Sequence, residues 1–127
     1  MNIFGDDGFR DIYGKGLLNK IFLENFFSKL NNFIIKNKVP KIIIGFDTRN
    51  SHIGIIKTII ENINYSTIVE ILDIPVPSPC VSYLAKKKKS CFLIMITASH
   101  FDRKFNGFKF YYKKFGLIKK IKKKILN

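Results

Sequence analysis

The sequence of 127 residues has few of the features that mark secreted or membrane proteins. Its two cysteines, Cys80 and Cys91, are too few for a disulfide framework, and with only two histidines they indicate no zinc site. The apolar runs are shorter than the roughly 18 residues that a membrane-spanning helix needs. The N-terminus carries Asp6 and Asp7 and lacks the long apolar core of a secretory signal. We therefore expect a reduced, cytoplasmic protein without a membrane partner.

Acidic residues are also scarce, with nine against 23 lysines and arginines and a formal net charge of +14. Such a charge is typical of proteins that bind nucleic acid or another anion. Much of the excess lies in two patches, Lys86–Lys89 and the C-terminal tail from Lys113, and the whole chain is rich in Lys, Asn, Ile and Phe. Because the charge follows this general composition, we disfavour nucleic-acid binding.

The apolar pattern predicts an α/β fold. Three short apolar or β-branched runs are typical of buried parallel strands, and helical segments alternate with them. The strands are predicted at 41–46, 67–72 and 91–96, and the helices at 17–38, 51–62 and 80–89. A further strand is predicted at 108–112, after a loop at 97–107. This alternation predicts a three-layer α/β/α domain with a mostly parallel sheet.

Two of the predicted helices have apolar faces at helical spacing. The first face comprises Leu18, Phe22, Phe26, Leu30, Phe33 and Ile34. The second comprises Ile53, Ile56, Ile60 and Ile63, in a helix that Asn50 or Ser51 caps.

The tail, residues 113–127, differs from the rest of the chain. Leu117, Ile118, Ile121 and Ile125 share one helical face among seven lysines. We interpret the tail as a terminal helix docked on a domain of residues 1–112. A basic amphipathic helix that lies on a membrane or on nucleic acid is the alternative.

Polar segments follow each predicted parallel strand, at 47–51, 74–79 and 97–100. Ligands gather at the carboxyl ends of strands in open α/β sheets, so these segments form the candidate site. A serine hydroxyl, arginines and a lysine around one crevice suit phosphate chemistry, because a guanidinium binds phosphate through two parallel hydrogen bonds. The candidates are Arg10, Arg49, Ser99, His100 and Lys109.

Several residues of these segments also have a simpler explanation, and a lysine on a strand such as Lys109 is usually solvated. Ser99 and His100 fit an ordinary turn, Asp47 and Arg49 fit a structural ion pair, and Gly107 fits a turn. The adjacent Asp6 and Asp7 are more typical of a turn than of a metal site, and the sequence has no second acidic cluster to complete such a site.

Four motifs in register are more specific than these single residues. The stretches FGDDGFR, KIIIGFDTRNS, IPVPSPCVSYLA and MITASHFDRKFNGFKFY occur in this order. Together they resemble the N-terminal domain of the α-D-phosphohexomutase family, over the chain up to about residue 120. The match is nearest to the bacterial members that act on hexosamine phosphates.

The resemblance implies a role for each matching residue. Ser99 matches the serine that carries a phosphoryl group, which it passes to a hexosamine or hexose phosphate. His100 and Lys109 match active-site residues, and Lys109 suits proton transfer or charge stabilisation. Arg10 and Arg49 match residues around the serine loop, and Asn106 and Gly107 belong to the motif that follows it. The family implies Mg²⁺, which Ser99 would bind through its phosphate.

The chain also departs from the family pattern. Asp6 replaces a threonine, Asp11 a glycine, and Phe101-Asp102 an Asn-Pro pair. The family has four domains, and its metal carboxylates, sugar-recognition loop and substrate-phosphate site belong to domains two, three and four, which we do not find here. We therefore expect the isolated chain to lack appreciable activity.

Three origins stay open: a fragment, a decayed gene product, or one half of an enzyme that a second polypeptide completes. A function of a different class also stays open. The chain would then be a non-catalytic remnant that binds anions or RNA through its basic surface.

Overall fold

The computed structural model describes residues 8–14, 18–64, 66–98 and 103–113, which form one five-stranded sheet with helices on both faces. The elements in chain order are β1 (Gly8–Ile12), α1 (Lys20–Lys36), β2 (Lys41–Phe46), α2 (His52–Asn62), β3 (Ile68–Ile71), α3 (Ser78–Lys87), β4 (Phe92–Ile96) and β5 (Phe105–Tyr111). The predicted three-layer α/β/α architecture is confirmed. The tail beyond Lys113 lies outside the described residues, so the division of the chain at residue 112 stays a prediction.

The sheet is mostly but not wholly parallel. Its strand order is β1-β5-β4-β2-β3, and β2 pairs in parallel with both β3 and β4. Strand β5 is antiparallel to both of its neighbours, β4 and β1. Four strands therefore run in one direction and β5 runs against them.

Strand β1 was not predicted, and β5 begins earlier than the prediction at 108–112. The five residues of β1 include Arg10 and Asp11 and lack a clear apolar run, so no pattern in the sequence indicated a strand. Pairing with β5 makes β1 a strand, since Gly8 through Ile12 lie opposite Lys109 through Phe105. The same pairing extends β5 back to Phe105, so the predicted loop at 97–107 was wrong in its last three residues.

Helix α1 follows its predicted pattern closely. Asn19 caps it by accepting a hydrogen bond from the Phe22 N–H at 2.9 Å. Lys38, with φ of 53°, ends it in the left-handed conformation that commonly terminates helices. Its buried residues are Leu23, Phe26, Phe27, Leu30, Phe33 and Ile34.

The predicted face of α2 was wrong in part. Ile53 and Ile60 are 67% and 50% exposed, whereas Ile55 and Ile59 are fully buried beside Ile56. Isoleucines occur on almost every side of this helix, so periodicity could not select one face. Packing against α1 selects it instead.

The two faces of the sheet carry different cores. Helices α1 and α2 cover one face with the larger cluster, which includes Phe26, Phe27, Phe92, Phe108 and Phe110. Helix α3 covers the other face through Val81, which packs with Ile43, Leu93 and Met95. Strand β3 is an edge strand and largely exposed, so the prediction that it is buried was wrong.

Candidate functional site

The carboxyl ends of the parallel strands meet at one end of the sheet, where we expected the site. The segment after β3 crosses the end of β2, because the Val76 N–H donates to the Phe46 carbonyl at 2.8 Å. The segment after β2 lies beside β4, since the Asp47 N–H donates to the Ile96 carbonyl at 3.3 Å. The structure thus brings the segments 47–51 and 74–79 to this end, together with Thr97 and Ala98, the described residues of the third segment.

Strand β4 ends here at Ile96, and two described residues separate it from Ser99. Thr97 and Ala98 are both buried, and the Thr97 N–H donates to the Gly107 carbonyl of β5 at 2.9 Å. The chain therefore stays attached to the sheet up to Thr97. Ser99 and His100, with Phe101 and Asp102, lie outside the described residues, as do Asp6 and Asp7.

Asp47 and Arg49 form the ion pair that the structural explanation predicted, and the role of Arg49 near the serine loop stays a prediction. Arg49 Nε donates to Asp47 Oδ2 at 3.0 Å, and the Arg49 N–H donates to Asp47 Oδ1 at 3.1 Å. Thr97 Oγ1 donates to the same Asp47 Oδ2 at 2.7 Å. The pair therefore joins the end of β2 to the end of β4.

The Arg49 guanidinium also contacts β5. Its Nη1 donates to the Phe105 carbonyl at 3.3 Å, and the Arg49 side chain is only 8% exposed. Arg49 is therefore connected, directly and through Asp47, to the chain on both sides of the segment that contains Ser99. Thr97 and the carboxylate of Asp47 were not singled out as site residues from the sequence. Each is the first polar residue after a predicted strand, which is the signal that indicates them.

Lys109 and Arg10 lie on the same face of the sheet as α3. Lys109 is opposite Met95, whose side chain packs against α3, and residues directly opposite in an antiparallel pair share a face. Arg10 is opposite Gly107, so Arg10 and Lys109 are diagonal neighbours, with backbones roughly 7–8 Å apart. Lys109 is half-buried and Arg10 is exposed. Two cationic side chains thus lie next to the end of β4. One is on the adjacent strand β5 and the other on β1, the strand after that.

Asn106 lies on the opposite face. It alternates with Gly107 along β5, and its fully buried side chain donates from Nδ2 to Ser51 Oγ at 2.7 Å, at the start of α2. The Ser51 side chain makes no capping hydrogen bond, although it occupies the predicted cap position. Asn106 and Ser51 therefore fix the start of α2 against β5.

Gly107 is the third residue of β5 and not a turn residue, so the turn explanation was wrong. Its carbonyl accepts from Thr97, and its N–H donates to Asn106 Oδ1 at 2.9 Å. Gly107 is buried, with Arg10 opposite it on β1 and Thr97 on its other side, just after β4.

The family implies Mg²⁺, and we tested whether the described side chains fit it. Within the described ranges, no group of three or more His, Cys, Asp or Glu side chains lies close enough to hold a metal ion. Asp47 accepts hydrogen bonds from Arg49 and Thr97, and Asp11 Oδ1 accepts from the Ile12 N–H at 2.7 Å. These residues do not by themselves fit a Mg²⁺ site, so we derive no step through the metal.

Comparison with known proteins identifies the class. The model of the family "Phosphoglucomutase/phosphomannomutase, alpha/beta/alpha domain I" matches residues 1–127. The chain therefore belongs to the phosphohexomutases, a family of isomerases, and has the fold of their first domain.

Two curated relatives that the chain resembles share one name. Phosphoglucosamine mutase of Dictyoglomus thermophilum is 40% identical over 114 residues, which are 85% of this chain and 24% of the relative. Phosphoglucosamine mutase of Gloeothece citriformis is 36% identical over 113 residues, 86% of this chain and 23% of the relative. The chain thus spans about a quarter of the length of these relatives.

A solved structure supports the fold. A crystal structure assigned to a phosphomannomutase of Thermus thermophilus matches with a TM-score of 0.72 over 88% of this chain and 26% of that chain. At 22% identity, this similarity bears on the fold alone. In the part of the chain that the structure describes, no helix is long and apolar enough to cross a membrane.

Proposed function

We propose that Ser99 carries the phosphoryl group of a phosphoglucosamine mutase, which converts glucosamine 6-phosphate to glucosamine 1-phosphate. The phosphoserine passes its phosphoryl group to a sugar hydroxyl, so that a sugar O–P bond forms and the serine O–P bond breaks. The sugar hydroxyl loses its proton as this bond forms, and the serine oxygen takes up a proton as it becomes a hydroxyl again. The resulting bisphosphate reorients and returns its other phosphoryl group to the serine.

The placement of Lys109 and Arg10 is the observation that carries this proposal. Both cations lie on one face of the sheet, beside the strand end that leads into Ser99. Phosphoryl transfer depends chiefly on positioning and on positive charge near the transferring group. Lys109 is suited to stabilise charge on the bridging oxygen, and His100 is the second candidate for proton transfer.

Phosphopeptide mass spectrometry of the purified chain tests the proposal. We expect phosphate on Ser99 and none in Ser99→Ala. A wild-type chain whose Ser99 carries no phosphate when it is purified from its native host would contradict it. The same serine would serve a phosphomannomutase or phosphoglucomutase, so sugar specificity needs a separate substrate comparison.

The isolated chain is proposed to lack appreciable mutase activity. It spans about a quarter of its relatives' length, and we propose that the remainder, in the same polypeptide or in a second one, completes the enzyme. An assay with glucosamine 6-phosphate and a bisphosphate activator tests this, because turnover by the pure chain would overturn it. Mg²⁺ and the hexosamine phosphate belong to the completed enzyme in this proposal.

A non-catalytic role is the second candidate. Lys86 through Lys89 are all exposed where α3 leads into β4, at the end of the sheet opposite the candidate site. Such a patch suits an anionic partner such as RNA. Strongly salt-dependent RNA binding by a chain with unmodified Ser99 would favour this function over the mutase.

A further inference from the structure

One stretch of the chain departs from its basic composition. Residues 58–85, from the middle of α2 into α3, contain no lysine or arginine, so all 23 cationic residues lie outside this stretch. The same stretch contains three of the nine acidic residues, Glu61, Glu70 and Asp73. The surface that it forms therefore lacks the positive charge that the rest of the sequence carries.

A groove lies within this stretch, between α3 and the segment that follows β3. Its volume is about 740 Å³, and among the described residues no lysine or arginine lines it. Large apolar side chains in the groove face solvent, since Ile74 is 67% exposed and Tyr83 is 60% exposed. One wall includes Leu72, Asp73 and Ile74, and the other, on α3, includes Cys80, Tyr83 and Leu84.

Both walls of the groove are fixed to the sheet. The Leu72 and Val76 N–H groups donate to carbonyls of β2 at 2.9 and 2.8 Å, and Pro75 between them has a restricted backbone. Helix α3 is anchored by Val81, which is fully buried against the sheet. The groove is therefore formed before a partner arrives, which lowers the entropy lost on binding.

Two groups in the groove favour a cation. Asp73 is exposed and makes no ion pair with another described residue, whereas Glu70 is already paired with Lys41 at 3.2 Å. The Tyr83 ring holds the Lys87 ammonium 5.5 Å from its centroid, so its face can accept a positive charge. The groove thus combines apolar side chains with a carboxylate that has no cation of its own.

We propose that this groove binds a basic, apolar segment of a partner protein. Apolar side chains of the segment pack on Ile74 and Tyr83, and a lysine or arginine pairs with Asp73. Exposed apolar patches with a tyrosine at the centre are typical of protein-binding surfaces.

Charge favours this occupant over two others. An acidic segment would be attracted to the exposed lysines 86–89 and repelled by Asp73. A second copy of the chain would bring together two molecules that each carry a net charge of +14. The groove lies beside β3, which β2 separates from β4, so the inference goes beyond the proposed function and does not depend on it.

The alkylation of Cys80 measures access to the groove. Cys80 is exposed there and Cys91 is buried, so iodoacetamide labelling followed by intact mass reports on Cys80, with Cys80→Ser as the blank. The probe is a synthetic amphipathic peptide of leucines and lysines, and the control peptide has glutamates in place of the lysines.

We expect the lysine peptide to slow the labelling of Cys80 and the glutamate peptide to leave it unchanged. The rate should fall by the factor 1 + [L]/Kd, which is about tenfold when the peptide concentration is ten times Kd. The protein as a whole repels a cationic peptide, so this protection has to come from the groove itself.

A charge reversal in the groove tests the role of Asp73. Asp73→Lys should weaken protection by the lysine peptide roughly tenfold or more, because the approaching ammonium then meets a like charge. Glu24→Lys changes the net charge by the same amount on α1, which covers the opposite face of the sheet, and should leave protection unchanged. Circular dichroism checks that both variants are folded.

Every other outcome overturns the inference. Labelling that the lysine peptide does not slow excludes the proposed occupant, and so does equal protection by the glutamate peptide or in Asp73→Lys. Slow labelling of the free chain that becomes faster on dilution would show that a second copy fills the groove. Slow labelling at every dilution would show that the chain itself covers it. None of these results bears on Ser99, so the proposed function is tested separately.

Discussion

Strand β5 contributes to two regions that differ in kind. On the face beneath α1 and α2, Phe108 and Phe110 pack among aromatic rings, with Phe108 at 5.1 Å from Phe27 between ring centroids. On the other face, Gly107 and Lys109 lie beside the end of β4. Alternation along one strand therefore separates the side chains that stabilise the fold from those suited to phosphate chemistry. A register shift of one residue would exchange the two sets, so the aromatic core also fixes the site.

The largest expected effect is on the aromatic face. Phe108→Ala removes a ring that is 1% exposed and contacts Phe26 and Phe27, and should lower the free energy of unfolding by about 3–5 kcal/mol. Urea denaturation followed by circular dichroism measures this. A loss below about 1 kcal/mol would show that this face does not carry the stability we assign to it.

A smaller effect is expected where α3 packs on the opposite face. A Cβ at Gly45 would lie 2.6 Å from Val81 Cγ2, so Gly45→Ala should cost about 1–3 kcal/mol through overpacking. Val81→Ala in the same chain should recover part of this loss, because it removes the contacting methyl groups. Additive losses in the double variant would contradict the close approach of α3 to β2.

The hydrogen bond between Asn106 and Ser51 should contribute less. Asn106→Ala and Ser51→Ala should each destabilise, and a double-mutant cycle should give a coupling of about 1 kcal/mol. The loss in Asn106→Ala should exceed that in Ser51→Ala, since Asn106 also accepts from the Gly107 N–H. A coupling near zero would mean that the contact does not fix α2 against β5.

The smallest stability effect is expected at Lys109. Lys109→Met keeps most of the apolar stem and should change the free energy of unfolding by about 0.5 kcal/mol or less. Under the proposed function, the same variant should lose most of the Ser99 phosphate that the wild-type chain carries when both are purified from the same host. Destabilisation as large as that of Phe108→Ala would contradict the division of β5 into a structural face and a functional face.

The sequence predictions were accurate where a pattern depends only on residues close in the chain. They were wrong where the structure depends on pairing or packing with distant segments. Strand β2 was predicted with its observed bounds, because IIIGF is a continuous apolar run between Lys41 and Asp47. The face of α2 was partly wrong, since isoleucines on several sides gave no single periodicity. Strand β1 was missed, because its five residues become a strand only through pairing with β5.

The candidate site shows the same division. Its motifs and their order indicated the family and the residues to examine, including Lys109 and Arg49. The hydrogen bonds of this pair could not be predicted. The Phe105 carbonyl that Arg49 contacts lies 56 positions away in the chain, and the Thr97 hydroxyl that contacts Asp47 lies 50 positions away.

The sequence by itself determined the alternation of strands and helices, the helical face of α1 and the motifs of the family, because these depend on local composition and spacing. The tertiary structure alone decided that β5 runs against its neighbours, that Arg10 and Lys109 share a face, and that Asp47 joins Arg49 to Thr97. Each of these depends on which strands become neighbours and in what register, and contacts between distant segments settle that choice.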